Sequence, residues 1–368
     1  MSTEPSAPPA LPGLDVTTLQ TWLAAHHPEL LGAATLNARI IAGGLSNLTY
    51  AIDGAREPLV LRRPPLGHVQ TTAHDMAREF RVISALAGSA VPVPRAVLFV
   101  DDPSSGVDAP YYLMQRVEGH PIVTRADSRE FSRPQLHDIS TQLATTLAEL
   151  HAIDPASVGL ADFGRAEGFL ARQLDRWGRQ YDGSRSRDLP ELDSLQSELG
   201  AGLPDTRRST LVHGDYRLDN AMVTTDAAGD PFISAILDWE MATIGDPLTD
   251  LGLFGLYWNL NSFEGMSPET TRTAVVASDG YPSFDELVDT YASTAGVTVP
   301  ELPWYLGLAA FKLAVIVEGI HFRFQAGQTV GEGFERVGRM VEPIARAGRR
   351  ALADGTATDR LETGGMEN

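Results

Sequence analysis

Cysteine is absent from the sequence, and lysine occurs once, as Lys312. Without thiols the chain can form no disulfide, no thiolate nucleophile and no cysteine-ligated zinc site. With a single lysine, almost every side-chain cation that binds an anion must be an arginine. No apolar run reaches transmembrane length, and the N-terminus lacks a cationic and apolar signal, so we expect a cytoplasmic protein that does not enter a membrane.

Basic residues are scarce relative to acidic ones, and the formal net charge is −19. A nucleic-acid-binding protein needs a basic surface for the phosphate backbone, so we expect no nucleic-acid partner. The acidic excess is compatible with a polycationic substrate such as an aminoglycoside, or it serves only solubility. With 368 residues the chain is long enough for two lobes with separate cores.

Residues 211 to 240 contain three oxygen-bearing side chains at informative intervals: Asp215, Asn220 and Asp238. Alternating apolar and polar residues predict a hairpin that turns around residues 226 to 229 and brings Asp238 back beside Asn220. Two hard oxygen ligands suit magnesium, and Asp215 is then available to accept a hydroxyl proton. The alternative interpretation is that these residues are ordinary turn formers.

The N-terminal part predicts strands interrupted by a Gly-rich turn with the sequence AGGLSN. In this turn Gly43 and Gly44 permit close backbone approach, and Ser46 and Asn47 can donate hydrogen bonds to a phosphate. Strand alternation in LVLRRPP, residues 59 to 65, places Val60 and Arg62 on one face. A following amphipathic helix at 73 to 87 carries Glu79, and two further strands are predicted at 96 to 100 and 111 to 117.

The C-terminal part predicts mostly helices, at 135 to 151, 164 to 181, 248 to 258, 303 to 324 and 330 to 352. His213 is expected to brace the loop that carries Asp215. Asp246 is expected to cap the helix that follows it, and Asp250 to support the Asp215 loop through hydrogen bonds.

The segment HGDYRLDN, followed by ILDWEMATIGDPLTDLG, resembles the aminoglycoside phosphotransferase family. This branch of the kinase-like fold includes choline kinases and the kinase-like domains attached to acyl-CoA dehydrogenases. The resemblance covers about residues 35 to 330 and implies an α+β, bilobal protein-kinase-like fold. Residues 14–117 would form a small nucleotide-binding lobe with a five-stranded sheet and a helix, and 118–352 a larger helical lobe. The ends, 1–13 and 353–368, are expected to be disordered.

The resemblance also implies ATP and magnesium as cofactors and a small-molecule hydroxyl as acceptor. Val60 would contact the adenine, backbone groups from Gln115 to Val117 would hydrogen-bond it, and Glu79 would pair with Arg62. Asn220 and Asp238 would hold the metal, and Asp215 would orient the hydroxyl. Arg62 stands where the fold normally has a lysine, a departure that resembles the branch associated with acyl-CoA dehydrogenases and that leaves a nucleotide-binding pseudokinase as an alternative.

The acceptor pocket is expected in the C-terminal helices. Lys312 and Arg323 share a helix face about 16 Å apart and can hold an anionic substrate, or each can pair with nearby acids. Aromatic residues dominate the same region: Phe254, Tyr257, Trp258, Trp304, Tyr305 and Phe311. These features favour a partly apolar or anionic acceptor, such as a hydroxyacyl compound, over an aminoglycoside. The sequence does not predict an oligomeric state.

Overall fold

The computed structural model describes residues 11–41, 47–66, 75–206, 208–271, 273–299, 302–328 and 334–363. The chain divides into two compact units, one of Met1–Glu118 with Leu237–Glu240 and the other of Gly119–Ile236 with Met241–Asn368. The first unit therefore differs from the expected 14–117 lobe, because it also contains a short segment from much later in the chain. Ion pairs and hydrogen bonds of Asp238 and Glu240 attach that segment to the sheet.

The first unit is built on a five-stranded antiparallel sheet with the strand order β1-β2-β3-β5-β4. Its strands are β1 (Asn37–Ile40), β2 (Leu48–Asp53), β3 (Leu59–Arg63), β4 (Ala96–Val100) and β5 (Tyr111–Gln115). The central strand β3 pairs with β5 so that Val60 is opposite Met114 and Arg62 is opposite Tyr112. Tyr50, Leu61 and other apolar residues on one face of the sheet form a buried core.

The described part of the first unit also contains the helices α1 (Val16–His26) and α2 (Met76–Ala85). Asp15 caps α1 by accepting hydrogen bonds from the backbone of Thr17 and Thr18. Residues 11 to 13 were expected in a disordered tail, but the carbonyl of Gly13 accepts a 2.6 Å hydrogen bond from the buried Arg63. The expectation was wrong at these positions because composition does not reveal a buried cation that needs a backbone acceptor.

The second unit contains two small antiparallel sheets. One pairs β7 (Thr210–Val212) with β10 (Thr243–Gly245); the other has the order β6-β8-β9, with β6 at His120–Pro121, β8 at Ala221–Thr225 and β9 at Pro231–Ile236. Strands β8 and β9 form the predicted hairpin, and Asp226 accepts hydrogen bonds from Ala228 and Asp230 in its turn. Because Ala221 pairs with Ile236, the chain enters and leaves this hairpin at the same end.

Helices make up most of the second unit, and α10 lies at the centre of its apolar core. They are α3 (Arg125–Ser128), α4 (Arg133–Ala152), α5 (Phe169–Ser184), α6 (Pro190–Ala201), α7 (Leu248–Asn259), α8 (Pro268–Thr271), α9 (Phe284–Ala295), α10 (Leu302–Gln325), α11 (Phe334–Val337) and α12 (Val341–Thr363). By length and composition α10 is apolar enough to cross a membrane, but 67% of its apolar window is buried within the structure. Packing in the core accounts for its composition.

The last helix differs from the prediction of a helix at 330 to 352 followed by a disordered end. The structure has the short helix α11, a 3-10 turn at Gly338–Met340, and then α12, which continues to Thr363. Pro343 explains where α12 begins, because proline fits the first helical turn, where backbone N–H groups lack an intrahelical acceptor. The apolar pattern crosses the 3-10 turn and so concealed this boundary.

Candidate active site

The loop between β7 and β8 carries His213, Asp215 and Asn220 in the second unit. It turns at Gly214, whose φ is +83°, a left-handed conformation that favours glycine. A Cβ atom at this position would lie 2.6 Å from the carbonyl oxygen of Met241. The glycine of the HGD motif is therefore required by both backbone conformation and space.

Asp250, on the first turn of α7, holds this loop in place through hydrogen bonds to its backbone. Its fully buried carboxylate accepts hydrogen bonds from the backbone N–H of His213 at 2.6 Å and of Gly214 at 2.8 Å. His151 lies 3.3 Å from the same carboxylate. Burial opposes ionisation, but the hydrogen bond and charge of His151, with those of His213, outweigh it and lower the pKa of Asp250. The expected support of the loop by Asp250 is confirmed.

Asp215 and Asn220 are held together within the same loop. The amide nitrogen of Asn220 donates to the backbone carbonyl of Asp215 at 2.8 Å and to its carboxylate at 3.1 Å. The backbone N–H of Asp215 donates to Nδ1 of the buried His213 at 3.2 Å. The nitrogen of the Asn220 amide is thus used inside the loop, and its oxygen is the atom that can coordinate a cation.

Lys312, on α10, contacts the Asp215 loop directly. Its ammonium donates to the carbonyl of Gly214 at 2.7 Å and lies 5.6 Å from the ring centre of Trp177. Burial lowers the pKa of Lys312, although the charges of Asp215 and Asp250 oppose this shift. Arg323 is on the same helix but is exposed, beside Gly319 and Ser184. The two cations predicted to act together therefore have different surroundings.

Three of the predicted aromatic residues border a small cavity next to the loop. Phe254, Tyr257 and Trp258 line about 40 Å³ of space together with apolar and threonine side chains and with Arg217 and Asp219. The guanidinium of Arg217 pairs with Asp219 and stacks 4.5 Å from the ring centre of Tyr257. The other three, Trp304, Tyr305 and Phe311, are buried in the core, where the hydroxyl of Tyr305 donates to Asp246 at 2.9 Å.

The first unit contains a separate cluster of charges around Arg62. Its guanidinium binds the carboxylates of Glu79 at 2.9 Å and Asp238 at 2.5 Å, which confirms the predicted pair with Glu79. Burial disfavours the charged guanidinium, but Glu79 and the neighbouring acids outweigh this effect and raise the pKa of Arg62. Burial also raises the pKa of Glu79. Arg62 is therefore a permanently charged group shared by two carboxylates.

Asn47 and Glu240 are members of this cluster that the sequence did not reveal as partners. Asn47 is buried and donates to Glu79 at 3.2 Å and to Glu240 at 3.0 Å. Glu79 also accepts a 2.8 Å hydrogen bond from Tyr112, the residue opposite Arg62 in the sheet. Asp238 has a φ of +65°, which turns the chain sharply after β9. The one sequence feature that indicates this cluster is Glu240, an acidic residue two positions after Asp238.

The other predicted nucleotide-binding residues lie in or next to the sheet of the first unit, or in the Gly-rich turn. Gly43, Gly44 and Ser46 lie outside the described residues. Val60 is buried within the sheet, and the exposed Gln115 uses its backbone N–H to bind the carbonyl of Arg95 at 2.9 Å. Val117 is half-buried, just beyond β5. The nucleotide-binding roles of these residues stay predictions.

Kinase-like phosphotransferases combine two features that this structure shows. One is a loop that holds an aspartate and an asparagine in place, and the other is a cation on β3 paired with a glutamate on α2. A family model described as the phosphotransferase enzyme family matches residues 37–287. The chain belongs to this family. The α+β, protein-kinase-like fold expected from the sequence is confirmed.

Among curated proteins, the chain is 32% identical over 319 residues to acyl-CoA dehydrogenase family member 11 of Gallus gallus. The alignment covers 86% of this chain but only 40% of that protein. This relative is therefore much longer than the matched region. The chain spans about two fifths of the length of this relative.

Solved structures give the same assignment. A Ralstonia eutropha JMP134 structure named for the aminoglycoside phosphotransferases is 27% identical, with a TM-score of 0.78, and the match covers 93% of this chain and 99% of that one. A thermostable mutant of aminoglycoside phosphotransferase APH(4)-Ia, in complex with AMP-PNP and hygromycin B, has a TM-score of 0.58 at 15% identity, covering 91% and 98%. The second likeness shows the fold alone.

Proposed function

We propose that this protein is an ATP- and Mg²⁺-dependent small-molecule kinase that transfers the γ-phosphate to an alcohol hydroxyl. The observation that carries the proposal is the placement of Asp215 in a loop held by buried hydrogen bonds to Asp250 and by Lys312. Such preorganisation is what phosphoryl transfer requires, since the protein contributes mainly positioning and electrostatic stabilisation.

Asp215 is the group that orients the acceptor. Its carboxylate is half-buried and receives one hydrogen bond from Asn220, so it retains acceptor capacity for a substrate hydroxyl. In the proposed reaction the hydroxyl donates its hydrogen bond to Asp215, and its oxygen attacks the γ-phosphorus as the bond to the ADP oxygen breaks. Asp215 takes the hydroxyl proton.

Asn220 and Asp238 are proposed to hold Mg²⁺, which would neutralise charge on the nucleotide phosphates. Asn220 immediately precedes β8 and Asp238 follows β9 by two residues, and both offer the hard oxygens that magnesium prefers. Magnesium usually takes only one or two protein ligands, with phosphates and water completing its shell. Arg62 is proposed to bind the phosphates in place of the usual lysine, with Glu79 fixing its orientation.

The acceptor is proposed to be a partly apolar or anionic compound, such as a hydroxyacyl compound, rather than an aminoglycoside. The side chains next to the loop include the aromatic rings of Phe254, Tyr257 and Trp258, and the charges of Arg217 and Asp219 among them neutralise each other. A polycationic acceptor would need an uncompensated cluster of carboxylates instead. The name of the chicken relative also favours chemistry on acyl compounds.

An aminoglycoside acceptor is the second candidate, favoured by the net charge of −19 and by the fold shared with an enzyme bound to hygromycin B. A nucleotide-binding pseudokinase is the third, favoured by Arg62 at the usual lysine position. The first two candidates transfer phosphate to different classes of compound, and the pseudokinase transfers none.

The test is an assay of phosphate transfer from ATP to two panels, short hydroxy acids with their thioesters, and aminoglycosides including kanamycin. We expect transfer to the first panel by the wild type and none above background by Asp215→Ala. The matched control is Asp226→Ala in the exposed hairpin turn, which should behave as the wild type. Robust turnover of kanamycin would refute the acceptor class, and equal background for wild type and Asp215→Ala would refute the kinase.

A further inference from the structure

Two cations of the second unit contact the same tryptophan, and one of them also binds the Asp215 loop. Arg176 on α5 and Lys312 on α10 both approach the ring of Trp177, with the guanidinium carbon of Arg176 5.5 Å and the ammonium of Lys312 5.6 Å from its centre. The same ammonium binds the carbonyl of Gly214, the residue before Asp215. Trp177 is buried, and its ring is the contact that the two cations share.

Neither cation is neutralised by an ion pair among the residues that the structure describes. Arg176 is exposed, and it interacts with the ring of Trp177 and with the charge on Lys312. An ammonium has three N–H donors, and within the described ranges Lys312 uses one of them, on Gly214. The negative charges of Asp215 and Asp250 also act on Lys312, although neither carboxylate forms an ion pair with it among the described residues.

We propose that Arg176 and Lys312 form an oxyanion subsite beside Asp215. It would bind the anionic oxygens of a group brought next to the acceptor hydroxyl, either a carboxylate of the acceptor itself or the phosphoryl group being transferred. This inference rests on the proposed kinase function and deepens it. It also replaces Arg323 by Arg176 as the partner of Lys312, because α5 and not the far end of α10 brings a second cation to Trp177.

A merely structural lysine would also bind Gly214, so the inference needs a readout that depends on ligand charge. The chain offers one because Lys312 is the only lysine. Its ε-amine can be labelled with trinitrobenzenesulfonate, and the peptide that carries it can be quantified by mass spectrometry. The lowered pKa of Lys312 increases the unprotonated, reactive fraction at mildly alkaline pH.

Protection from labelling identifies the source of the anion. We expect 3-hydroxybutanoate, or magnesium with AMP-PNP, to slow modification of Lys312 about tenfold at ten times its Kd. Protection by 3-hydroxybutanoate but not its methyl ester assigns the subsite to the acceptor carboxylate. Protection by AMP-PNP but not ADP assigns it to the transferred phosphate. If none of these anions slows the labelling of Lys312 relative to the protein alone, the inference is overturned.

Charge-removing variants test the same subsite independently. Lys312→Met should weaken binding of the protecting anion by about tenfold, and Arg176→Gln, at an exposed position that need not affect folding, by about threefold. The control is Arg179→Gln, which removes the same charge from α5 at an exposed residue paired with Asp175. Losses no larger than those of Arg179→Gln would contradict the inference.

These measurements separate the subsite from the proposed function, because labelling and anion binding require no turnover. If no acceptor is phosphorylated but the anions still protect Lys312, the subsite stands and the kinase assignment fails. If transfer occurs and neither anion protects Lys312, the kinase stands and the subsite fails.

Discussion

Replacing Asp250 by asparagine should strongly destabilise the second unit, although the two side chains have nearly the same size and shape. The carboxylate of Asp250 accepts from two backbone N–H groups, at 2.6 and 2.8 Å, with His151 at 3.3 Å. An asparagine has one acceptor oxygen, so its NH₂ group would face a buried backbone N–H. A lost charge-assisted hydrogen bond and an unpaired buried donor together cost about 3 kcal/mol of unfolding free energy.

The control is Asp226→Asn in an exposed turn, where the backbone N–H groups of Ala228 and Asp230 donate to the same carboxylate oxygen. Asparagine keeps one acceptor oxygen for both donors, so we expect a cost of at most about 1 kcal/mol. Urea unfolding followed by tryptophan fluorescence gives both values. Equal losses in the two variants would refute the argument that burial of the Asp250 network stabilises the loop.

The lowered pKa of Asp250 adds a pH signature. A carboxylate whose folded pKa lies below its unfolded value contributes stability above the unfolded pKa, about 3.9, and loses it as the pH falls through the folded pKa. The wild type should therefore lose this contribution on acidification through that window, and Asp250→Asn should lack this part of the pH dependence. Parallel stability curves for the two proteins would contradict the assignment.

Three further predictions follow from the same contacts. Arg62→Met should cost about 3 kcal/mol because it leaves Glu79 buried without its cation, and the double variant with Glu79→Gln should recover part of that loss in urea unfolding; no recovery would count against the ion pair. Gly214→Ala should cost at least 1 kcal/mol more than Gly229→Ala, because both have positive φ but only Gly214 would clash, and equal costs would contradict this. Nucleotide binding should weaken about tenfold in Arg62→Gln, measured by calorimetry, whereas unchanged affinity would remove Arg62 from the phosphate site.

The sequence predicted local features well where a residue type favours one kind of local structure, as turn formers and alternating apolar residues do. The hairpin turn at Asp226 and the five strands of the first sheet follow from periodicity and turn residues. The pair of Arg62 and Glu79 follows from the resemblance to the kinase-like fold. The support of the loop by Asp250 follows from the position of this residue one turn into the helix after the loop.

Contacts between distant elements could not be predicted in this way. Helix periodicity placed Lys312 and Arg323 on one face of α10. The structure shows that Lys312 contacts Gly214 and Trp177, which the spacing of residues along one helix does not reveal. Likewise, composition gave no sign that the carbonyl of Gly13 would serve a buried Arg63. These contacts are set by packing of separate elements, which local sequence patterns do not encode.

The central claim is that Asp215 acts on the acceptor hydroxyl and not on the fold or the nucleotide. The most direct measurement compares Asp215→Asn with the wild type, titrating each with magnesium and AMP-PNP and then following transfer from ATP to the best acceptor. For Asp215→Asn we expect nearly equal nucleotide affinity, equal unfolding by urea, and a fall in kcat of at least about a hundredfold. Transfer at a near wild-type rate by a folded, nucleotide-binding Asp215→Asn protein would contradict it.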